Sequence, residues 1–324
     1  MKPSEIVTGL KGLTSIQQPV FIWGPPGVGK SDVVRQTAEQ RGVGLKDFRA
    51  ILMDPIDFHG IPFVSEDGTT DWAPPGAFPT SGEGILFLDE LNAAPPLTQA
   101  ALYQLILDRR LGDYQLPEGW SVIAAGNRAS DRAVVHRMPS ALANRFVHYS
   151  LDVNNEDWLH WANTNGINEK VKSFIRFRPS LLHDFQPEKE AFPTPRSWEF
   201  ISNITGNIDP GVEFPTYAGT VGEGAATEFT AFIKNYENMP DMEELIKNPT
   251  TTRIPDEVSM LYAITGSLID RTNEDTFTPI MKYIDRLNPE YQVIYVKESI
   301  TLHDWIAVRP ETTQWAIKNN DVIL

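Results

Sequence analysis

Gly24-Pro25-Pro26-Gly27-Val28-Gly29-Lys30-Ser31 fits the pattern G-x-x-x-x-G-K-[ST] at every fixed position. That is chemistry for a nucleoside polyphosphate. Glycines let successive backbone N–H groups turn inward around a β-phosphate, and the N-terminus of a following helix favours the anion further. Lys30 is placed to reach the β- and γ-phosphates and the Ser31 hydroxyl to hold Mg²⁺, with Asp32 beside them in the first helical turn. Further along, Gly84-Ile85-Leu86-Phe87-Leu88-Asp89-Glu90 is an apolar run ending in two carboxylates. Asp89 would bind Mg²⁺ directly or through water, and Glu90 would orient and polarise an attacking water. The alternative is an acidic start to the helix that follows, where carboxylates are also favoured. A third run, Trp120-Ser121-Val122-Ile123-Ala124-Ala125-Gly126-Asn127, ends in an amide followed by Arg128. Asn127 can hydrogen-bond a γ-phosphate or the attacking water, although Gly-Asn also marks turns in general.

These groups need a scaffold that brings distant segments to one edge. Pro19 to Trp23 reads as a short buried strand, and Ser31 to Ala38 as a helix with an apolar face. The all-apolar run before Asp89 belongs in the middle of a parallel sheet covered on both faces. Carboxylates at its C-terminal end sit where open α/β sheets place their ligands. Strands are expected within residues 15–23, 46–52, 84–89, 120–125 and 146–151, alternating with helices. Two hairpins interrupt the alternation: Ile61 to Trp72, with an Asp67-Gly68 turn, and Arg110 to Pro117. After residue 151 the periodicity becomes helical, over 156–163, 168–178, 195–204 and 221–236, then over 255–270, 276–287 and 291–301. The domain reading is an α/β nucleotide-binding core at 1–152, a helical lid at 153–236 and a helical C-terminal extension at 237–324. The extension reads as packing on the lid or as a docking surface. Arg196 opens the third lid helix, where the helix dipole gives a cation nothing, so an outside anion is one reason for it; a surface pair with Glu199 or Glu190 is another.

Composition narrows the class. At 324 residues the chain can bury a sizeable core, and 41% hydrophobic with 22% charged residues is ordinary for a globular protein. No apolar run is long enough to span a bilayer, and Met1 to Glu5 lacks the apolar core of a signal peptide. With no cysteine there are no disulfides or thiolate metal sites, and the six histidines show no metal-ligand spacing. A cytoplasmic location fits these features. With 43 acids against 28 bases the net charge is −15, which argues against nucleic acid as a general partner. The best local basic stretch, Ser173-Phe174-Ile175-Arg176-Phe177-Arg178, reads better as a helix end.

In order along the chain, Walker A at Gly24–Ser31, Walker B at Ile85–Glu90, a sensor-1 asparagine at Asn127, an arginine finger at Arg145 and a sensor-2 arginine at Arg196 resemble the AAA+ ATPases. The subgroup resembled is the MoxR family. Leu88-Asp89-Glu90-Leu91-Asn92-Ala93-Ala94-Pro95-Pro96 with Thr98-Gln99-Ala100-Ala101-Leu102 is similar to its "DEINRAPP…QAALL" stretch, Asn144-Arg145-Phe146 to its "DRF" and Thr194-Pro195-Arg196 to its "SPR". Asn144 and Ala93 depart from that pattern, and Arg137 stands in reserve as the finger. The resemblance covers roughly residues 15 to 236. It implies an AAA+ P-loop core with a helical lid, ATP with Mg²⁺, and a homo-oligomeric, hexameric ring in which Arg145 reaches a neighbour's nucleotide. It also implies a protein client, a von Willebrand A domain protein or a maturing metalloenzyme, met by the hairpins, with Phe58, His59 and Tyr114 near that partner. Plain surface hairpins with core-packed aromatics are the alternative. Two other functions stay open: a nucleic-acid-linked motor or loader, and a switch that binds ATP with little turnover.

Overall fold

The computed structural model describes residues 1–324 apart from 55, 58, 59, 74, 113, 132–135, 137 and 320–324. The chain divides into two compact units, Met1–Val153 and Asn154–Leu324.

The first unit is built on a parallel five-stranded sheet in the order β2-β5-β8-β1-β9. Its strands are β1 (Val20–Trp23), β2 (Gly44–Arg49), β5 (Gly84–Asp89), β8 (Trp120–Gly126) and β9 (Val147–Ser150). All the pairings are parallel. Strand alternation sends successive side chains to opposite faces. Phe21, Leu86, Leu88, Val122 and Ala124 therefore share one buried cluster with Leu102, Leu105 and Ile106 of α3 (Pro96–Asp108). Val20, Ile22, Ile85, Phe87, Ile123 and Ala125 share another with Ile6 and Leu10 of α1 (Pro3–Ser15) and Val33 and Val34 of α2 (Lys30–Arg41). A sheet buried on both faces requires uninterrupted apolar strands, which is why β5 and β8 carry no polar alternation.

The strand at residues 46–52 is found shifted, at Gly44–Arg49, with Ala50–Leu52 winding into a 3-10 turn. The first strand begins only at Val20, because residues 3–15 form α1 and Gln17 breaks the chain with a φ of 58°. Both hairpins are present. β3 (Ile61–Val64) pairs antiparallel with β4 (Thr70–Ala73) around a turn in which Gly68 takes a φ of 81°. β6 (Arg110–Leu111) pairs with β7 (Tyr114–Gln115).

Tyr114 is 7% exposed, and its hydroxyl donates to the Pro79 carbonyl at 2.7 Å. That packing removes it from any partner-facing role, while Phe58 and His59 lie outside the described residues.

The second unit is helical among its described residues. The helices expected at 156–163, 168–178 and 195–204 appear as α5 (Asn155–Thr164), α6 (Glu169–Phe177) and α7 (Pro195–Ile204). The expected 221–236 helix starts later, as α9 (Glu223–Glu237), because Gly222 at φ 82° separates it from an additional helix, α8 (Pro210–Val221). Beyond lie α10 (Met242–Lys247), α11 (Val258–Asp270), α12 (Phe277–Ile284), α13 (Pro289–Leu302) and α14 (Pro310–Lys318). α11, α12 and α13 share a buried apolar cluster that includes Ile264, Leu268, Ile280, Tyr283 and Tyr295.

α6 packs against α11 closely enough that a Cβ on Gly266 would lie 2.3 Å from Ser173 Oγ. Ion pairs line this region: Lys172 with Asp270 at 2.7 Å and Arg176 with Glu298, which accepts from its Nε and Nη2. Arg178 pairs with Glu228 at 2.5 Å. Arg176 and Arg178 are thus bound to carboxylates within their own unit, which agrees with the helix-end reading of that stretch.

Candidate nucleotide site

The loop from Gly24 to Gly29 joins the C-terminal end of β1 to the N-terminus of α2. Gly27 and Gly29 hold φ values of 76° and 91°, a region where a side chain is strained, so the turn depends on glycine at both positions. Val28, 6% exposed, anchors the loop in the cluster beneath it. Gly24 is fixed by close approach, since a Cβ there would lie 3.3 Å from the Leu151 carbonyl. Pro25 and Pro26 are half-buried between these anchors. At the start of α2, Asp32 pairs with Arg35 at 2.7 Å.

Lys30 gathers the site. Its Nζ donates to the carbonyls of Gly24 at 2.7 Å and Pro25 at 2.9 Å, and to Asn127 Oδ1 at 2.8 Å. Ser31 Oγ donates to Asp89 Oδ2 at 2.9 Å. The C-terminal ends of β1, β5 and β8 are adjacent in the sheet, so a loop, a carboxylate and an amide far apart in sequence converge there. This is the edge at which open α/β sheets bind ligands. Hydroxyl and carboxylate oxygens are the donors that suit Mg²⁺, and Ser31 and Asp89 present one of each in contact.

Glu90 follows Asp89 in a left-handed conformation, φ 56°, and its backbone N–H donates to Asp89 Oδ1 at 2.9 Å. The chain then enters a short 3-10 turn, Leu91–Ala93, rather than a long helix, so the acidic pair does not cap a regular helix. Among the described residues, the half-buried Glu90 carboxylate makes no hydrogen bond or ion pair.

Two residues at the site carry more weight than their sequence context suggested. Asp47, on the neighbouring β2, has its carboxyl held above the usual range, by burial first and then by the charge of Asp89, with Arg49 and Arg35 opposing. Asn92, two residues after Glu90, is 3% exposed, and its Nδ2 donates to the Asn127 carbonyl at 2.7 Å. An asparagine two residues beyond the carboxylate pair is the only sequence signal for Asn92, and Asp47 has none.

The arginines stand apart. Arg145 follows the short helix α4 (Ser140–Ala143), is exposed, and has no guanidinium partner among the described residues. Arg128 reaches Asp152 at 3.4 Å within its own unit. Arg196 is exposed in the first turn of α7, in the second unit, and makes no ion pair among the described residues. Thr194 and Ser197 cap that helix reciprocally. Arg137 lies outside the described residues.

Residues 2–146, which lie within the α/β unit, match the family model described as the Sigma-54 interaction domain, a domain of the AAA+ family. No curated protein matches the chain. Among solved structures, a putative ATPase from Cytophaga hutchinsonii is 16% identical over 90% of this chain and 79% of its own, with a TM-score of 0.37. The RuvB Holliday junction branch migration motor of Thermotoga maritima is 15% identical over 86% of this chain and 83% of its own, with a TM-score of 0.42. NtrX from Brucella abortus in complex with ATP is 13% identical over 99% of this chain and 68% of its own, with a TM-score of 0.42. Likenesses this distant bear on neither activity nor partner. Among the described residues no helix is long and apolar enough to cross a membrane, and no group of three metal-ligating His, Cys, Asp or Glu side chains occurs.

Proposed function

We propose that the protein is a Mg²⁺-dependent ATPase of the AAA+ class, of the MoxR type by its motifs, which works as a homo-oligomeric ring on a protein client. The observation that carries the hydrolytic reading is the convergence of Lys30 with Asn127 and of Ser31 with Asp89 at one sheet edge. Backbone N–H groups of Gly27 to Lys30 and the Lys30 ammonium would hold the phosphates, with Lys30 exchanging its loop carbonyls for phosphate oxygens. Ser31 and Asp89 would hold Mg²⁺, which when bound neutralises charge on the phosphate oxygens. Glu90 would orient water for in-line attack from its position after Asp89. Asn127, already bonded to Lys30, is placed to share the γ-phosphate or that water. Arg145, exposed and unpaired among the described residues, is free to serve a neighbouring subunit. A finger of this kind is worth about 10³- to 10⁵-fold in rate. Arg196 keeps the γ-phosphate-sensing role given by the resemblance.

The client reading rests on the motif resemblance and on the net charge of −15, which disfavours a phosphate backbone as partner. The description of the matched family names a sigma factor, so a transcription-initiation protein is a second candidate within the same partner class.

The test is native mass spectrometry of Glu90→Gln purified from its host with ATP and Mg²⁺, beside a phosphate-release assay of the wild type. A ring mass with nucleotide and an added protein supports the whole reading. A nucleotide-bound monomer, with no turnover in the wild type, would move the assignment to an ATP-binding switch.

A further inference from the structure

The most unusual group near the site is one the hydrolytic scheme does not use. Asn92 is 3% exposed and sits between two of the segments that the scheme needs. Its Nδ2 donates to the backbone carbonyl of Asn127 at 2.7 Å, and its own carbonyl accepts from the His136 N–H at 2.7 Å. Its Oδ1 is buried with no hydrogen-bond partner among the described residues. Leaving a buried acceptor unmade costs about 1–3 kcal/mol, so a polar side chain is retained here at some expense to stability.

The neighbouring strand end is shaped to admit it. A Cβ on Gly126 would lie 2.0 Å from Asn92 Oδ1, so no residue with a side chain fits at that position while Asn92 keeps its place. Asn92 is also only two residues beyond Glu90, inside the 3-10 turn that the left-handed Glu90 opens, where the Ala93 N–H donates to the Glu90 carbonyl at 2.9 Å. One amide therefore ties the turn that carries Glu90 to the backbone that carries Asn127.

We infer that Asn92 is a positioning residue for ATP hydrolysis: its amide locks the Asn127 backbone against the Glu90 turn, so that the Asn127 side chain and the water oriented by Glu90 address the same phosphate. The inference rests on the ATPase reading above. Its geometry explains why an amide is needed. An aspartate of the same size has no N–H to give and would set a carboxylate oxygen against the Asn127 carbonyl. An aliphatic residue would leave that carbonyl unpaired. Misplacing a reacting group by about 1 Å can cost about 10²-fold in rate without loss of binding.

The test uses the full chain with ATP and Mg²⁺ as the probe. Asn92→Asp is expected to lower kcat by about 10²-fold while KM and the affinity for a fluorescent ATP analogue stay within about threefold of the wild type. Gly126→Ala, which pushes a methyl group into Asn92 Oδ1, should reproduce that split. Amide hydrogen exchange of the nucleotide-free protein gives a readout that does not require turnover. The Asn127–Asp131 segment should exchange faster in Asn92→Asp, with β1 and β5 unchanged. A wild type that hydrolyses ATP, with an Asn92→Asp variant of equal kcat, would overturn the inference. If the wild type hydrolyses nothing, the ATPase reading fails instead, and unchanged exchange at Asn127–Asp131 would still overturn the role given to Asn92.

Discussion

Lys30 and Asn127 are 97 positions apart and meet at 2.8 Å, ammonium nitrogen to amide oxygen. The contact makes Asn127 an acceptor for the cation proposed to serve the phosphates, so the amide helps set where Lys30 points. Replacing it should divide by chemistry. On the proposed scheme, Asn127→Ala removes one polar group that would meet the developing charge and should lower kcat by about 10²- to 10³-fold, with modest change in ATP affinity. Asn127→Asp gives Lys30 a full ion-pair partner that competes with phosphate, so ATP binding itself should weaken. Titration with a fluorescent ATP analogue and steady-state phosphate release separate the two. Equal affinities for both variants would remove the competition argument.

Glu90 holds a left-handed backbone at φ 56°, which costs a side-chain-bearing residue roughly 1–2 kcal/mol. Strain of this kind gathers at functional sites. Glu90→Gly should therefore raise the unfolding free energy by about 1 kcal/mol while abolishing turnover. Glu90→Gln should keep the strain, bind ATP and fail to hydrolyse it. Urea denaturation of the three proteins checks the first claim. A glycine variant less stable than the wild type would show that the turn does not store strain.

What is legible in the sequence are patterns that lie within short segments. Gly24 to Ser31 and Leu86 to Glu90 are contiguous, and buried parallel strands read as unbroken apolar runs, so loop, carboxylates and strands were visible together. Segments whose order depends on long-range packing were less visible. α1 was missed because its start is marked by Pro3 and Glu5 rather than by a strong capping residue at Lys2. The join of α8 to α9 was blurred because Gly222 can end a helix or sit within one. Asn92 stands within a motif, yet its bond to Asn127 depends on β5 and β8 being neighbours, which no local pattern states.

Tyr114 gives a pH signature. Burial pushes its hydroxyl up to about 12, against the opposing charge of Arg109. The ordinary value near 10 applies in the unfolded chain. The folded form thus holds its proton more tightly, and the stability linked to Tyr114 is complete below about pH 10 and is lost as pH rises towards about 12. Tyr114→Phe should show a shallower loss of stability over that window. It should also cost about 1 kcal/mol at neutral pH through the hydrogen bond to Pro79. Thermal melts at pH 7 and across the alkaline window measure both effects, and parallel alkaline curves would contradict the assignment.

In the helical unit, Arg176 has a side chain 2% exposed and depends on Glu298 for two of its nitrogens. Removing one partner of a buried pair leaves a charge without compensation, which costs about 3–5 kcal/mol. Glu298→Gln should therefore destabilise the protein strongly. The double change Arg176→Met with Glu298→Leu should recover most of the loss, because a hydrophobic replacement removes both charges. Chemical denaturation reads the difference. A loss below about 1 kcal/mol for Glu298→Gln would place the pair among solvent-screened surface bridges instead.

In the proposed scheme, Arg145 is the residue whose role separates a ring from a monomer. It is exposed beyond α4 and makes no side-chain bond among the described residues, whereas Lys30 is bonded to Asn127 and Ser31 to Asp89. An arginine acting on its own subunit's phosphates would be expected to approach those residues; one acting on a neighbour needs to project. Arg145→Ala should bind ATP with wild-type affinity and lose about 10³-fold or more in kcat. Mixing provides the sharper measurement. Arg145→Ala subunits keep an intact nucleotide site, and Lys30→Ala subunits keep an intact finger. Combining the two inactive proteins should restore part of the wild-type phosphate release where one subunit's arginine faces the other's nucleotide. If the mixture stays as inactive as its components while mixed rings form, Arg145 is not a finger supplied in trans.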